Sequence, residues 1–267
     1  MLTALPSSRR LIAIPSVFDA NRELDKLSRE QQRLLPQSAP EVPGYQLSLI
    51  YRPVYCATGD YHDFFMTAPT GPAAFVGDGS GHGPAACILM ATMRTLLHTL
   101  ESLHGDPGAT LTTVGRKFCS LVRPDLFMTG VHLVLQEHGL VRWASAGQDP
   151  PLHVGAFGQI TPVDLGPVGL PLGIERDEVY STVTWRMMQG ERLLVYTDGL
   201  VEARNHDSEA FGRSRLRTCW SRLTHLPLDK AISTLLAQVT AHQDGAAFDD
   251  DFTILGIERS DAHDHST

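Results

Sequence analysis

A layered α+β domain is the fold class this sequence predicts. Three observations predict it. Short apolar or alternating runs come in consecutive groups, and amphipathic helical stretches fall between the groups rather than after every run. In addition, 42% of the 267 residues are hydrophobic, enough to bury a substantial core. The boundaries divide the chain into a leader with a linker helix at 1–40, one large domain at 41–258 and a disordered tail at 259–267.

Taken in order, the early apolar stretch Leu11–Ile14 with Val17–Phe18 is broken by Pro15 and is too short for a membrane span or a signal-peptide core. Ser16, with Asp19 three residues on, forms a capping-box-like start, and Val17, Ala20, Leu24, Leu27, Gln31 and Leu34 recur at alternating three- and four-residue steps. The spacing predicts a short helix over 16–35. Fewer than three heptads leave a free coiled coil marginal, so the stripe packs either on its own domain or on a second subunit. Pro36, Pro40 and Pro43 end the helix. Strands follow at Tyr45–Tyr51, Phe64–Ala68 and Ala73–Val76.

Pro84 then opens a long helix whose Ala85, Leu89, Met93, Leu96, Leu100 and Leu103 mark one buried face, ending near Gly105; Met90 and Met93 read as core. A second helix is predicted at Ala109–Ser120, then strands at Val131–Gln136, Leu140–Ala144, Thr182–Trp185 and Arg192–Tyr196. Helices at Arg213–Arg222 and Leu228–His242 precede a last strand at Thr253–Ile257. Residues 259–267 are polar with no apolar anchor, so they are expected to fray, with His263 and His265 solvated.

The formal net charge of -8 and a pI near 5.8 leave no basic footprint for nucleic acid. Cys56, Cys87, Cys119 and Cys219 are scattered without a CxxC pair, which suits neither a disulfide framework nor a zinc cluster. A reducing cytoplasm is the expected compartment, and no membrane span is predicted.

Four aspartates share one local grammar. Asp60 precedes a strand in GDYHDFF, Asp78 ends the run AAFVGD, Asp198 ends RLLVYTDG, and Asp250 opens DDFTILGI. Singly, Asp-Gly and Ser-Gly pairs are ordinary turn formers. Together, carboxylates at the ends of apolar strands that share a sheet pair repel one another, and a divalent cation resolves the conflict. The donors are all oxygen, which favours Mg²⁺ or Mn²⁺ over zinc. Two such ions, typically about 3.5–4 Å apart, share a bridging water, lower its pKa and clamp a phosphoryl group for in-line displacement. Gly79 and Gly81 let backbone come close to that centre.

The ordered series QQRLLPQSAPEVPGYQLSLIYRP, TGDYHDFF, VGDGSGHGPAACILMATMR, FMTGVHLVL, ASAGQDPPLHV, GLPLGI, LLVYTDGLVEARN and FDDDFTILGI resembles the SpoIIE/RsbU-type bacterial serine phosphatases, a branch of the PPM (protein phosphatase 2C-like) superfamily, from about Gln31 to Ile257. The resemblance implies a four-layer α-β-β-α sandwich with metals in a cleft at one end. It implies metal ligands at Asp60, Asp78, Asp198 and Asp250, with Asp78 bridging and Gly79 contributing its carbonyl. Asp249 and Asp251 flank the last site; the family's Asp-Asp-x-Thr pattern selects Asp250. Asp63 also recurs in the family and is assigned a supporting, structural task.

Three segments depart from the pattern: Thr58-Gly59-Asp60 for Gly-Gly-Asp, GDGSGHG for GDVSGHG, and AGQDPP at Ala146–Pro151 for AGHNPP. None removes a predicted ligand, although the changes at Gly79, Gln148 and Asp149 leave room for retuned activity. The general acid stays open between His82, His62 and water, with His62 expected on a solvated face; Arg52 and Arg204 are candidate phosphate contacts. The implied substrate is a phosphoserine or phosphothreonine protein, typically an anti-sigma-factor antagonist of the STAS type. Only about 40 residues precede the domain, so regulation by a separate protein or by a homodimer through residues 16–35 is expected. The rival readings are a catalytically silent binding module and a hydrolase of small phosphate esters, the latter without a Walker-type loop.

Overall fold

The computed structural model describes residues 17–54, 56–67, 71–159 and 167–260. In chain order the elements are α1 (Val17–Leu34), β1 (Tyr45–Arg52), β2 (Tyr61–Thr67), β3 (Gly71–Gly79), α2 (Pro84–Thr99), α3 (Pro107–Leu121), β4 (Met128–Leu135), β5 (Leu140–Ala146), β6 (Leu152–Val154), β7 (Val168–Gly169), β8 (Val183–Arg186), β9 (Arg192–Tyr196), α4 (Gly199–Glu202), α5 (Gly212–Arg222), α6 (Leu228–Gln243) and β10 (Phe252–Arg259). Pro107 at the first turn of α3 follows Asp106, whose carboxylate accepts from Ala109 N, a cap that fixes where the helix begins.

Two sheets form. One runs β1-β10-β9-β6; the other runs β2-β3-β4-β5-β7, with β8 also pairing on β5. The alternation within β1 shows why they stack. Leu47 and Leu49 join Val76, Val131, Trp143, Val195 and Leu255 between the sheets, while Ile50 packs outward with Leu216, Trp220, Ile232 and Leu235 of α5 and α6. On the other side Leu89, Met90, Met93, Leu111, Val114 and Phe118 of α2 and α3 cover β2–β4. Three apolar layers therefore separate four structural layers, the α-β-β-α sandwich expected from the sequence. Each fully buried Leu or Phe contributes roughly 1.5–3 kcal/mol relative to exposure.

Sequence reasoning missed β6, β7 and α4, which are two to four residues long and carry no periodicity. The α1 stripe is also placed differently from its prediction. Gln31 is buried at 2% exposure and Leu35 enters the α2 core, whereas Leu34 is 40% exposed and Leu24 and Leu27 are half-buried. Ser16 and the tail residues His263 and His265 lie outside the described residues. The last strand extends to Arg259, whose guanidinium donates to Gly44 O.

A histidine pair lies under α2. His104 Nε2 meets Leu97 O at 3.0 Å and so donates, which leaves its Nδ1 to accept from His132 Nε2 at 3.3 Å. Both rings are fully buried beside Phe65, and His132 Nδ1 has no hydrogen-bond partner among the described residues. Burial first, and the neighbouring His104 second, lower the His132 pKa to about 3. The folded state thus keeps His132 neutral while the unfolded chain takes a proton below about pH 6.5. Stability from this group is present above pH 6.5 and is lost as pH falls toward 3, by roughly 2 kcal/mol at pH 5. Urea unfolding at pH 7.5 and pH 5 is expected to show a smaller acid loss for His132→Leu than for the unaltered chain. Equal losses would discard the assignment.

Candidate metal centre

The site forms where strand ends from the two sheets meet. Asp60 stands immediately before β2, Asp78 lies near the end of β3, Asp198 follows β9 after Thr197, and Asp249, Asp250 and Asp251 lead into β10. Antiparallel pairing of β2 with β3 and of β9 with β10 sends these four ends to the same edge of the sandwich. Thr197 Oγ1 and Thr253 Oγ1, both from the opposite sheet, donate to Asp60 Oδ2 at 2.9 and 2.6 Å. A second rung holds the two threonines in register, since Thr253 N donates to Thr197 Oγ1 at 2.8 Å. Asp60 is therefore the carboxylate that stitches the sheets together at the cleft, and it is 1% exposed.

Close backbone packing depends on two glycines. A Cβ on Gly59 would fall 2.3 Å from Gly79 O and 2.8 Å from Asp78 Oδ1, so only glycine lets the lead-in to β2 lie against the Asp78–Gly79 turn. Gly79 N donates to Gly59 O at 3.1 Å across that contact. On the other sheet, a Cβ on Gly199 would fall 2.1 Å from Asp251 O, so the start of α4 nests on the β10 lead-in. Asp198 occupies the cap position of α4 without a side-chain cap bond, at the solvent-exposed lip of the cleft.

Electrostatics give the cleft its character. Burial first, then Asp251 and Asp198, push the Asp60 carboxyl up to about 8 against the opposing pull of its two threonine bonds. Asp78 is pushed up to about 9, by burial and then by Asp60, Asp198, Asp250 and Asp251. Asp198 is raised as well, by burial, Glu202 and Asp250. Burial and like charges in close reach of one another produce this mutual elevation, and a bound cation would oppose it.

The donor chemistry fits hard divalent cations: several carboxylates and an adjacent main-chain carbonyl, with no thiol or imidazole in the set. Among the described residues no three acidic, imidazole or thiol side chains close into a cage as they stand.

Asp60, Asp78, Asp198, Asp250 and Asp251 come within electrostatic reach of one another here. Asp63 instead points into α2, where it accepts from Tyr61 Oη and Phe64 N, each at 2.8 Å, and pairs with His98 Nε2 at 2.8 Å. Of the last three acids, Asp251 is 3% exposed and its Oδ1 accepts from Val54 N at 2.5 Å, whereas Asp250 is exposed. His62, expected on a solvated face, is instead 1% exposed, with Nε2 at 2.9 Å from Pro36 O, because the α1–β1 connection covers β2. Burial lowers its pKa. His82 is exposed on the loop after Gly79. The Arg52 guanidinium lies 5.3 Å above the Phe248 ring, beside the acidic run, and Arg204 donates to Ser208 O.

Sequence reasoning missed Thr197 and Thr253 as parts of the site. Threonine is ordinary at strand ends, and only the Thr-Asp and Asp-Asp-x-Thr contexts carried any signal. In the divergent AGQDPP loop, Gln148 Nε2 donates to Tyr196 O at 2.8 Å, and Asp149 accepts from Tyr196 Oη and from Arg213. That loop braces β9 one residue from Thr197.

Comparison with known proteins gives a consistent picture. The profile of the family described as Stage II sporulation protein E (SpoIIE) matches residues 69–260. The chain is 25% identical to "Protein IcfG" of Synechocystis over 94% of its own length and 44% of that protein's. It is also 25% identical to "Phosphoserine phosphatase RsbU" of Bacillus subtilis over 69% of its length and 55% of that protein's. It thus spans about half the length of these curated relatives. Among solved structures, the SiaA-PP2C domain of Pseudomonas aeruginosa superposes with a TM-score of 0.76 at 18% identity, covering 90% of this chain and 96% of that one. That likeness establishes the fold.

Proposed function

The chain belongs to the SpoIIE family, and on that premise we propose that it is a metal-dependent serine/threonine protein phosphatase. The observation that carries the reading is Asp60, held between the sheets by Thr197 and Thr253 while the carboxyls of Asp60 and Asp78 are pushed upward by burial and then by their acidic neighbours. Asp60, Asp78, Asp198 and Asp250, with the Gly79 carbonyl, would hold two Mg²⁺ or Mn²⁺ ions. When bound, such ions neutralise phosphoryl charge and lower the pKa of the water they share.

The chain's own residues supply the rest. Thr197 and Thr253 fix the Asp60 carboxylate so that it need not reorganise during turnover. Gly59 and Gly199 keep the walls close enough for four strand ends to serve one centre. His82, exposed beside the Asp78 loop, is better placed than the buried His62 to give a proton to the departing serine oxygen.

The substrate we propose is a phosphoserine or phosphothreonine on a STAS-type anti-sigma-factor antagonist, in a cytoplasmic partner-switching pathway; the likeness to RsbU supports it. No helix of the described residues is long and apolar enough to cross a membrane. The half-exposed Leu24 and Leu27 on α1 support a homodimer through residues 16–35, and regulation by a separate protein would act on the same helix. The test is Mn²⁺-dependent phosphate release from such a phosphoprotein, against free nucleotides and sugar phosphates, with sedimentation of the full chain alongside. Release from the phosphoprotein at least tenfold faster than from the metabolites is expected. Faster release from metabolites would favour the small-ester hydrolase, inertness on every substrate the silent binding module, and a single monomeric species would discard the dimer.

A further inference from the structure

We propose that Gln31, on the helix preceding the domain, is a positioning residue for the metal centre; the proposal rests on the metal reading above. Its carboxamide grips both backbone polar groups of one residue, Thr58. Nε2 donates to Thr58 O at 2.7 Å, and Oε1 accepts from Thr58 N at 3.0 Å. The pairing reproduces one rung of a β-ladder with a side chain in place of a strand. It is made just where β2 has not yet begun and the chain must still be aimed, two residues before Asp60.

Three further contacts make this more than helix docking. Thr58 Oγ1 lies 2.9 Å from Tyr51 Oη, so the gripped residue is braced on β1 as well. The next residue, Gly59, accepts from Gly79 N, which carries the constraint to the Asp78 turn. Two residues beyond Asp60, His62 Nε2 reaches Pro36 O at 2.9 Å. The end of α1 and its connector thus hold the backbone on both sides of Asp60, whose carboxylate the two threonines hold from the opposite sheet.

The residue type matters. Asparagine is too short for both bonds, glutamate would set a carboxylate against the Thr58 carbonyl, and methionine has the length but neither polar atom. Removing the carboxamide strands a buried N–H and C=O, which then find partners by shifting the backbone. The shift would be felt at Asp60.

The experiment is calorimetric titration of Mn²⁺ into the full chain, into Gln31→Met and into Arg94→Gln. The last variant loses the 2.9 Å bond from Arg94 Nε to Leu34 O, and with it the 3.7 Å ion pair to Asp63, loosening α1 without touching Thr58. Gln31→Met is expected to weaken Mn²⁺ binding about tenfold while Arg94→Gln binds as the unaltered chain does. Phosphate-ester turnover of Gln31→Met at saturating Mn²⁺ is expected to recover most of kcat, which a merely damaged fold would not do. Should Gln31→Met fail to fold, Gln31→Glu keeps the bond from Thr58 N and is expected to give an intermediate loss. Unchanged Mn²⁺ affinity in Gln31→Met, or equal weakening in both variants, overturns the proposal and leaves the metal reading standing. If the unaltered chain itself takes up no Mn²⁺, it is the metal reading that falls, and the positioning role falls with it.

Discussion

Asp78→Asn is expected to abolish Mn²⁺-dependent phosphatase activity, by ~10³-fold or more, while making the metal-free protein more stable. The activity loss follows from position. Asp78 interacts with Asp60, Asp198, Asp250 and Asp251 together, so on the proposed reading it serves both halves of the cleft. Loss of a residue that merely orients a ligand costs 10–100-fold, and loss of a shared ligand should exceed that.

The stability gain follows from sign. In the metal-free fold the Asp78 carboxyl is pushed up to about 9, above its unfolded value of 3.8, by burial and by its acidic neighbours. Ionising it therefore costs the folded state, and the cost grows as pH rises from about 4 to about 9. Asparagine removes that cost, so the variant should unfold at a higher temperature than the unaltered chain near pH 8 and at the same temperature near pH 4. Solvent at the half-buried site reduces the gain to on the order of 1–3 kcal/mol, or a few °C in a domain of this size. Saturating Mn²⁺ should invert the order, since only the unaltered chain gains binding energy. Scanning calorimetry with and without Mn²⁺ checks both signs, and a less stable metal-free variant would make Asp78 a structural residue instead.

The same contrast between repulsion and burial explains what the sequence made legible. Asp60, Asp78, Asp198 and the Asp249–Asp251 run could be found because each adjoins a strongly apolar strand; Arg192–Tyr196, five buried residues in a row, was placed to the residue. Cross-strand register then brings them together, and register follows from hydrophobic alternation. What escaped were contacts that depend on the third dimension alone. Gln31 sits in a helical stripe with Leu24 and Leu27, and its period could not reveal that the carboxamide turns toward Thr58, 27 residues away. His62 alternates with Tyr61 as a solvated residue would, yet the connector at Pro36 covers it. The two-residue β7 owes its pairing to β5 rather than to any preference of its own.

Gly59→Ala should be a severely damaging single-methyl change in the cleft, and Gly79→Ala a mild one, although the two glycines are in direct backbone contact. At Gly59 the added Cβ would stand 2.3 Å from Gly79 O and 2.8 Å from Asp78 Oδ1, far inside van der Waals contact. The nearer neighbour cannot give way cheaply, because it is main chain tied back through the Gly79 N to Gly59 O bond. At Gly79 the Cβ would meet Met128 Cε at 3.2 Å, Gly59 O at 3.4 Å and Leu89 Cβ at 3.4 Å. The tightest of these is the end of a flexible methionine, which can move by the few tenths of an ångström required.

Overpacking at Gly59 should cost about 1–3 kcal/mol of stability. Displacing the Gly79 carbonyl and the Asp78 carboxylate by even ~1 Å should lower turnover on the order of 10²-fold. Gly79→Ala restores a side chain where the family's GDVSGHG has valine, and should keep turnover within about threefold of the unaltered chain by stiffening the loop without moving the ligands. Urea unfolding and phosphate-ester turnover on the two variants decide the matter. Equal losses would mean that the cleft tolerates no bulk anywhere, and a harmless Gly59→Ala would mean that the walls are not held together by the contact described here.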